Sequence, residues 1–320
     1  HLLYQHNGSR RWLVYVTASG ALYAYNPSTA ARTGSPGDVA KDRTGATLTM
    51  AQMSTPWQRA QSACWGDWLY ICDGVGRVLV FNGYYWDMAG WAGPAGTPSV
   101  TAMAHPQTID SGTPPIPLEN IGLGPISATE DFKYARRYRF SFLNDRGAES
   151  PLSAPSDLCY FTNTAADGAH FAKVTAPIGP PSCVARRVYA TQSSFDSANV
   201  QVFGRDTQYY YHSDLPDNVS SVFQDGLDDA YLGSQVDPTQ FGSFPAGTKY
   251  LTVFKDRMYA AGSGSSSVYY SRKNGPEVWP VNNELPVGGD KLGPVTGMYS
   301  TQNVCIVFKA RKTFLIVDDG

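Results

Sequence analysis

The residues best suited to chemistry are few, and their spacing does not favour it. The five histidines are His1, His6, His105, His170 and His212. No two stand four apart around the Glu of a zinc-protease helix, and none lies at a useful offset from a cysteine. The five cysteines, Cys64, Cys72, Cys159, Cys183 and Cys305, are odd in number and include no C-x-x-C pair. Neither a zinc site nor a disulfide framework follows, so buried free thiols made in a reducing cytosol are expected. Asp225-Gly226-Leu227-Asp228-Asp229 is acidic enough for a calcium loop. It lacks the alternating carboxylates and closing Glu of the twelve-residue site, and reads as a solvated turn. Gly262–Ser267 leads into a strand pattern, not a helix, so it has no helix N-terminus to cradle phosphate and reads as a hairpin loop. The sequons Asn7-Gly8-Ser9 and Asn218-Val219-Ser220 would matter only in a secreted eukaryotic protein. Arg136-Arg137-x-Arg139 and Arg186-Arg187 could form a basic face toward a neighbouring subunit or an anionic polymer; a solvated strand face is the plainer expectation. No catalytic, cofactor-binding or metal-ligating residue emerges, and a protein that is not an enzyme is expected.

The elements that would have to position such residues are strands. Among 320 residues, 13% are aromatic, with 20 Tyr, and there are 31 Gly and 22 Pro. That share of Gly and Pro, without a G-X-Y period and with ample apolar residues, indicates many turns between short strands. Long helical patterns are absent, so the fold class is all-β. The formal net charge is −2, from 25 Lys and Arg against 27 Asp and Glu. A protein that grips duplex DNA by its phosphates needs a basic stripe, and none is visible. No apolar run approaches the roughly 20 residues of a membrane-spanning helix. The chain begins at His1 and stops after a strong strand pattern, so a fragment or processed product is expected.

A strand–turn–strand unit recurs. It appears at Leu13–Val16 and Leu22–Tyr25, at Trp68–Cys72 and Val78–Phe81, at Met258–Ala261 and Val268–Tyr270, and at Val304–Phe308 and Thr313–Val317. Asn82-Gly83 precedes Trp86, and Asn274-Gly275 precedes Trp279; Asn-Gly supplies the positive φ of a tight turn. The following Trp is expected to bury a large apolar area between neighbouring sheets. Spacings of about 46 and 54 residues match propeller blades of roughly 40–50 residues. A β-propeller, small or incomplete in this chain, is therefore expected over 1–125 and 242–320, with 92–125 a Pro/Gly-rich connector. Over 126–241 the pattern changes to about seven short strands: Tyr138–Phe142, Leu158–Phe161, Phe171–Thr175, Arg187–Ala190, Val200–Phe203, Tyr209–His212 and Ser221–Phe223. An inserted immunoglobulin- or fibronectin-like β-sandwich without a disulfide is expected there.

Tyr138–Phe142 followed by Asn144-Asp145-Arg146-Gly147-Ala148-Glu149-Ser150-Pro151-Leu152-Ser153 resembles an aromatic strand, turn and Gly-x-Glu-Ser-Pro-x-Ser segment of phage tail proteins. Arg186–Thr191 resembles that family's R-I-Y-R-T strand, with Ala190 in place of its second Arg. Tyr209–His212, Phe223-Gln224-Asp225 and Asp228–Gly233 are similar to its closing segment, and Val268–Ser271, Glu277–Pro280 and Lys309–Ile316 to one of its blades. The family so resembled is the tail nozzle, or tail tubular protein B (packaged-DNA stabilisation protein), of short-tailed bacteriophages. The resemblance implies a structural virion protein made in the host cytoplasm: a homo-oligomeric ring, a hexamer, below the portal and adaptor proteins. Its further partners would be tail fibres or spikes, and double-stranded DNA retained behind the ring and leaving through its lumen without sequence-specific binding. A secreted propeller lectin or glycosidase, and a phage tail-tip or receptor-binding protein, are the alternatives.

Overall fold

In a computed structural model of the chain, Asn274 has φ 58° and Gly147 has φ 75°, at two of the turns where the sequence calls for such residues. The structure describes residues 2–6, 10–16, 22–25, 60–82, 85–103, 122–123, 132–163, 171–193, 204–227 and 229–317. Nearly all regular structure there is strand, and the helices described are 3-10 turns of three residues. The chain divides into two units: residues 1–91 with 242–320, and Ala92–Phe241.

The first unit opens with β1 (Leu2–His6), β2 (Arg10–Val16) and β3 (Leu22–Tyr25), an antiparallel meander. A second sheet runs in order through β4 (Gln61–Trp65), β5 (Trp68–Cys72), β6 (Leu79–Phe81) and β7 (Trp86–Met88). Then comes the second unit, with β8 (Val100–Met103), β9 (Gly122–Leu123), β10 (Phe132–Arg136), β11 (Tyr138–Asn144), β12 (Cys159–Asn163), β13 (Phe171–Thr175), β14 (Cys183–Thr191), β15 (Tyr209–Leu215), β16 (Val222–Gly226) and β17 (Gln235–Val236). The chain returns to the first unit for a third sheet, β18 (Thr248–Phe254), β19 (Arg257–Gly262), β20 (Ser267–Tyr270) and β21 (Glu284–Pro286). A fourth follows, made of β22 (Val295–Ser300), β23 (Cys305–Lys309) and β24 (Thr313–Ile316).

All four expected hairpins of the first unit are present, as β2–β3, β5–β6, β19–β20 and β23–β24. Successive side chains of a strand point to opposite faces, and the strands of the second and third sheets are apolar at nearly every position because both of their faces are buried in cores. Leu69 and Ile71 of β5 join Val14, Leu22 and Ala24 in one core, while Tyr70 and Cys72 join Met258 and Ala260 in another. Tyr259 and Ala261 of β19 turn the other way, onto Cys305 and Val307. The first sheet thus shares a core with the second, the second with the third, and the third with the fourth. Trp86 and Trp279 are buried in the first and second of these cores, where the Asn-Gly signals led them to be expected.

In the second unit two four-stranded sheets, ordered β11-β14-β15-β17 and β8-β13-β16-β9, contribute to one core with β12 of the two-stranded β10–β12 pair. Tyr138, Phe140, Val188, Ala190, Ala172, Val174 and Phe223 fill it. The stretch expected as a connector between bodies supplies two of these strands: β8 pairs antiparallel with β13, and β9 pairs parallel with β16. The backbone hydrogen bonds of a neighbouring strand outweigh local Pro and Gly content there. The expected strand Val200–Phe203 lies outside the described residues.

Candidate functional site

The second unit concentrates the charged chemistry, and its centre is Asp225 at the end of β16. This carboxylate has no exposed surface. Its Oδ2 accepts from Arg136 Nη1 at 2.9 Å and from the Tyr138 hydroxyl at 2.7 Å. Its Oδ1 pairs with His212 Nε2 at 2.8 Å and accepts from the backbone N–H of Leu227 at 2.8 Å. Arg136 also donates to Asp229, which accepts from the Ser193 N–H as well. The His212 ring meets the Phe223 ring edge-on, 5.0 Å between centroids. Burial opposes ionisation of Asp225. His212 and Arg136, with the hydrogen bonds from His212 and Tyr138, outweigh it and hold this carboxyl far below the usual range. Burial and then Asp225 push the Tyr138 phenol up, so it stays a donor.

A second network lies on the opposite face of the β11–β14–β15 sheet. Glu149 accepts from Ser141 and Tyr189 hydroxyls, each at 2.5 Å, and from Arg187 Nη1 at 3.0 Å. Arg187 grips Asp214 with two parallel bonds, 2.7 Å from Nε and 3.0 Å from Nη2, the fork geometry that suits a guanidinium. Burial, then Glu149, raises the Tyr189 hydroxyl well above its ordinary value.

Arg186 points the other way and is completely buried. It donates to the carbonyls of Pro177, Ser220 and Asp217 and to the Asp217 carboxylate at 2.7 Å. Asn218 accepts from the Gly179 N–H and donates to the Gly179 and Pro180 carbonyls. Together they fasten the loop after β13 to the one after β15.

These placements correct two expectations. The arginine clusters do not make a solvated or basic strand face. Arg136 and Arg186 are fully buried, while Arg137, Arg139 and Arg187 are half-buried, the Arg139 guanidinium lying 4.7 Å from the Tyr209 ring centroid. The Asp225–Asp229 stretch is not a solvated turn, since Asp225 is the buried hub and Asp229 the second acceptor for Arg136. Sequence reasoning missed the hub because its four donors come from three separate strands and a loop. Of the histidines, His212 is placed in this hub; His1, His105 and His170 lie outside the described residues, and the side chain of His6 is not described.

The segment Asn144–Ser156 has a defined task. Asn144 Oδ1 accepts from the N–H groups of Arg146 and Ala148 and shapes the turn. The chain then runs back along the edge of β11 with a serine at every third position. Ser150, Ser153 and Ser156 each take a hydrogen bond on Oγ from the N–H of Phe142, Phe140 and Tyr138 respectively, at 2.9–3.0 Å. Each returns its own N–H to the carbonyl of the same residue, at 2.8–2.9 Å, and passes its hydroxyl proton to the next carbonyl. This ladder closes an otherwise open sheet edge without adding a strand. Ser271 repeats the device in the third sheet, accepting from Met258 N–H at 2.9 Å.

No family model matches the chain, and no curated protein matches it.

In the first unit, Glu277 is buried and accepts from the Tyr70 hydroxyl at 2.9 Å and the Gly90 N–H at 3.1 Å, tying the third sheet to the second. Lys309 is buried with its ammonium on the carbonyls of Val287, at 2.6 Å, and Gly289, at 3.1 Å. Among the described residues no group of three His, Cys, Asp or Glu is placed to hold a metal ion, and no helix is long and apolar enough to cross a membrane. The ionisable groups brought together here hold strands and loops in place.

Proposed function

We propose that this chain is a structural virion protein of a tailed bacteriophage, a tail nozzle subunit that joins a ring below the portal and adaptor. There it retains packaged DNA and gives it an exit. In this reading the four stacked sheets of the first unit are blades of a β-propeller, and the second unit is an inserted β-sandwich that docks neighbouring subunits or fibres. The observation that carries it is where the resembled segments fall. Asn144–Ser153, Arg186–Thr191 and Phe223–Asp225 lie together in the inserted unit as turn, edge ladder, central strand and buried hub, while Val268–Ser271 and Lys309–Ile316 lie in the third and fourth sheets. A conduit needs stiff bodies with covered strand edges and no strong hold on DNA. Sheets sharing cores on both faces, a serine-capped edge and arginines committed to internal carboxylates fit that need.

Negative-stain imaging of purified particles with the chain labelled tests the proposal. Label at the narrow end of the tail, in a ring around its axis, is the expected result. A chain that never joins a ring or tail would overturn it.

A further inference from the structure

Three described residues other than glycine have positive φ: Lys255 at 48°, Asp256 at 56° and Asn274 at 58°. They meet at one end of the third sheet. Lys255-Asp256 is the turn between β18 and β19, and Asn274, in the loop after β20, donates its N–H to the Asp256 carbonyl at 2.8 Å. An Asn-Gly pair would hold the first of these turns with less strain, so folding does not explain the lysine and aspartate found there. Strain kept in place by its surroundings points to function, and what the two loops share is positive charge. Lys255, Arg272 and Lys273 are exposed, and among the described residues no carboxylate pairs with any of them. Arg257 lies half-buried at the same turn, with Nη1 on the Ser271 carbonyl at 3.0 Å and its guanidinium 5.4 Å from the Tyr270 ring centroid. Against these four cations the loops expose one carboxylate, Asp256; Glu277 is buried on Tyr70 and Gly90.

We propose that these two loops bind the acidic second unit of another copy of this chain. Charge complementarity selects that occupant. Residues Ala92–Phe241 include 16 Asp and Glu against nine Lys and Arg, a net charge of −7 that the whole-chain value of −2 conceals. Four of those nine cations, Arg136, Arg146, Arg186 and Arg187, already lie on carboxylates of their own unit. Asp157 and Asp237 are exposed, and among the described residues no cation pairs with either. Unpaired cations on one unit and unpaired carboxylates on the other attract between copies, while like surfaces repel, so the contact is oriented. Because the two surfaces differ, it is heterologous and generates a ring if the rotation closes. Exposed ion pairs are individually weak, and the contact is therefore weak per copy and sensitive to salt. The inference deepens the docking role proposed above for the second unit and rests on that reading only for closure of the ring.

Sedimentation velocity of the 320-residue chain over about 1–100 µM, in about 50 mM and about 500 mM salt, tests it. At low salt the wild-type chain is expected to pass from one copy to two and more as concentration rises, and at high salt to associate about tenfold more weakly. Lys255→Glu combined with Lys273→Glu, both at exposed positions, should remain single. Asp157→Lys combined with Asp237→Lys, on the other surface, should do the same. Mixing the two double variants should restore pairs, since each keeps the surface the other lacks. A wild-type chain that stays single at low salt overturns the proposal, as does association that neither salt nor Lys255→Glu with Lys273→Glu weakens. So does a mixture that stays single although both variants melt as the wild type does. A single wild-type chain that heparin retains, with retention lost in Lys255→Glu with Lys273→Glu, would give the loops to an anionic polymer instead and likewise overturn it. Should the aspartate variant not fold, the lysine variant and the salt series decide alone. Tail labelling is read on particles, so it can fail or succeed independently of this result.

Discussion

Replacing Asp225 by Asn is the sharpest single test of the buried network. Two donors converge on each carboxylate oxygen, Arg136 and Tyr138 on Oδ2 and His212 and Leu227 on Oδ1, at 2.7–2.9 Å. Asparagine keeps the shape but turns one oxygen into an NH₂ group. Whichever way the amide sits, two buried donors then face hydrogens, while Arg136 keeps Asp229 as an anionic partner. Removing one partner of a buried ion pair costs about 3–5 kcal/mol. The surviving Asp229 contact favours the lower end, about 3 kcal/mol. At roughly 2–4 °C per kcal/mol for a body of this size, the melting temperature of the second unit falls by about 6–12 °C. The assay is simplified by composition: all seven tryptophans (Trp12, Trp57, Trp65, Trp68, Trp86, Trp91 and Trp279) belong to the first unit. Tryptophan fluorescence therefore follows that unit, while calorimetry follows both. The expected result is a calorimetric transition that moves down while the fluorescence midpoint stays in place. A loss below about 1 kcal/mol, within the range of ordinary substitutions, would refute the reasoning. So would an equal shift of the fluorescence midpoint.

Acid should reach the same hub. Asp225 is held below its unfolded value, so its contribution is complete above about pH 4 and is lost as pH falls toward its folded value; calorimetry from about pH 5 to pH 2 should show a shallower decline for Asp225→Asn than for the wild type, and equal slopes would contradict the assignment. Ser153→Ala leaves the N–H of the fully buried Phe140 without its acceptor, and urea unfolding of the second unit should show a loss of about 1–3 kcal/mol. The β18–β19 turn places Lys255 and Asp256 at φ 48° and 56°, so the double change Lys255→Asn with Asp256→Gly should raise the first unit's stability by about 1 kcal/mol in fluorescence-detected unfolding, and no gain would mean that the turn is unstrained. Cys64 is exposed, the other four cysteines are buried, and burial pushes Cys159 and Cys305 up to about 11; Ellman's reagent at pH 8 should therefore titrate one thiol in the native chain and the remaining four only after denaturation.

Much of what was legible in the sequence depended on glycine. Two of the hairpins found from the sequence turn at loops with a glycine at positive φ, Gly74 at 86° and Gly264 at 82°, while β23–β24, which turns at Ala310-Arg311-Lys312, was found from its apolar strands alone. The β18–β19 hairpin was overlooked because its turn is Lys255-Asp256, two residues that reach positive φ against their own preference. Their strain is offset by the ladder from Thr248 to Phe254. Strands β8 and β9 were hidden for a different reason. Pro and Gly mark turns locally, but a short strand of poor propensity still pairs where a neighbour offers an open edge. The Gly-x-Glu-Ser-Pro-x-Ser segment was conspicuous, yet its purpose was not. Serines three apart suit no strand period, and they make sense only once the chain is seen running beside the alternating N–H groups of Tyr138, Phe140 and Phe142.

The misreading of the arginines carries the larger lesson about function. Five of them fall within Arg136–Arg139 and Arg186–Arg187, and in sequence such clusters suggest a surface that attracts anions. Adjacent residues in a strand point to opposite faces, so neighbours such as Arg186 and Arg187 cannot share one. Here Arg186 faces the loops and is buried on Asp217, while Arg187 faces Glu149 and Asp214. Arg136 is spent on Asp225 and Asp229. Pairing of this kind cancels the field that would steer a polyanion and converts the same charges into fixed, directional links between strands. A body on a DNA exit path, as proposed, gains from both effects: the polymer is not held, and the sheets do not slip.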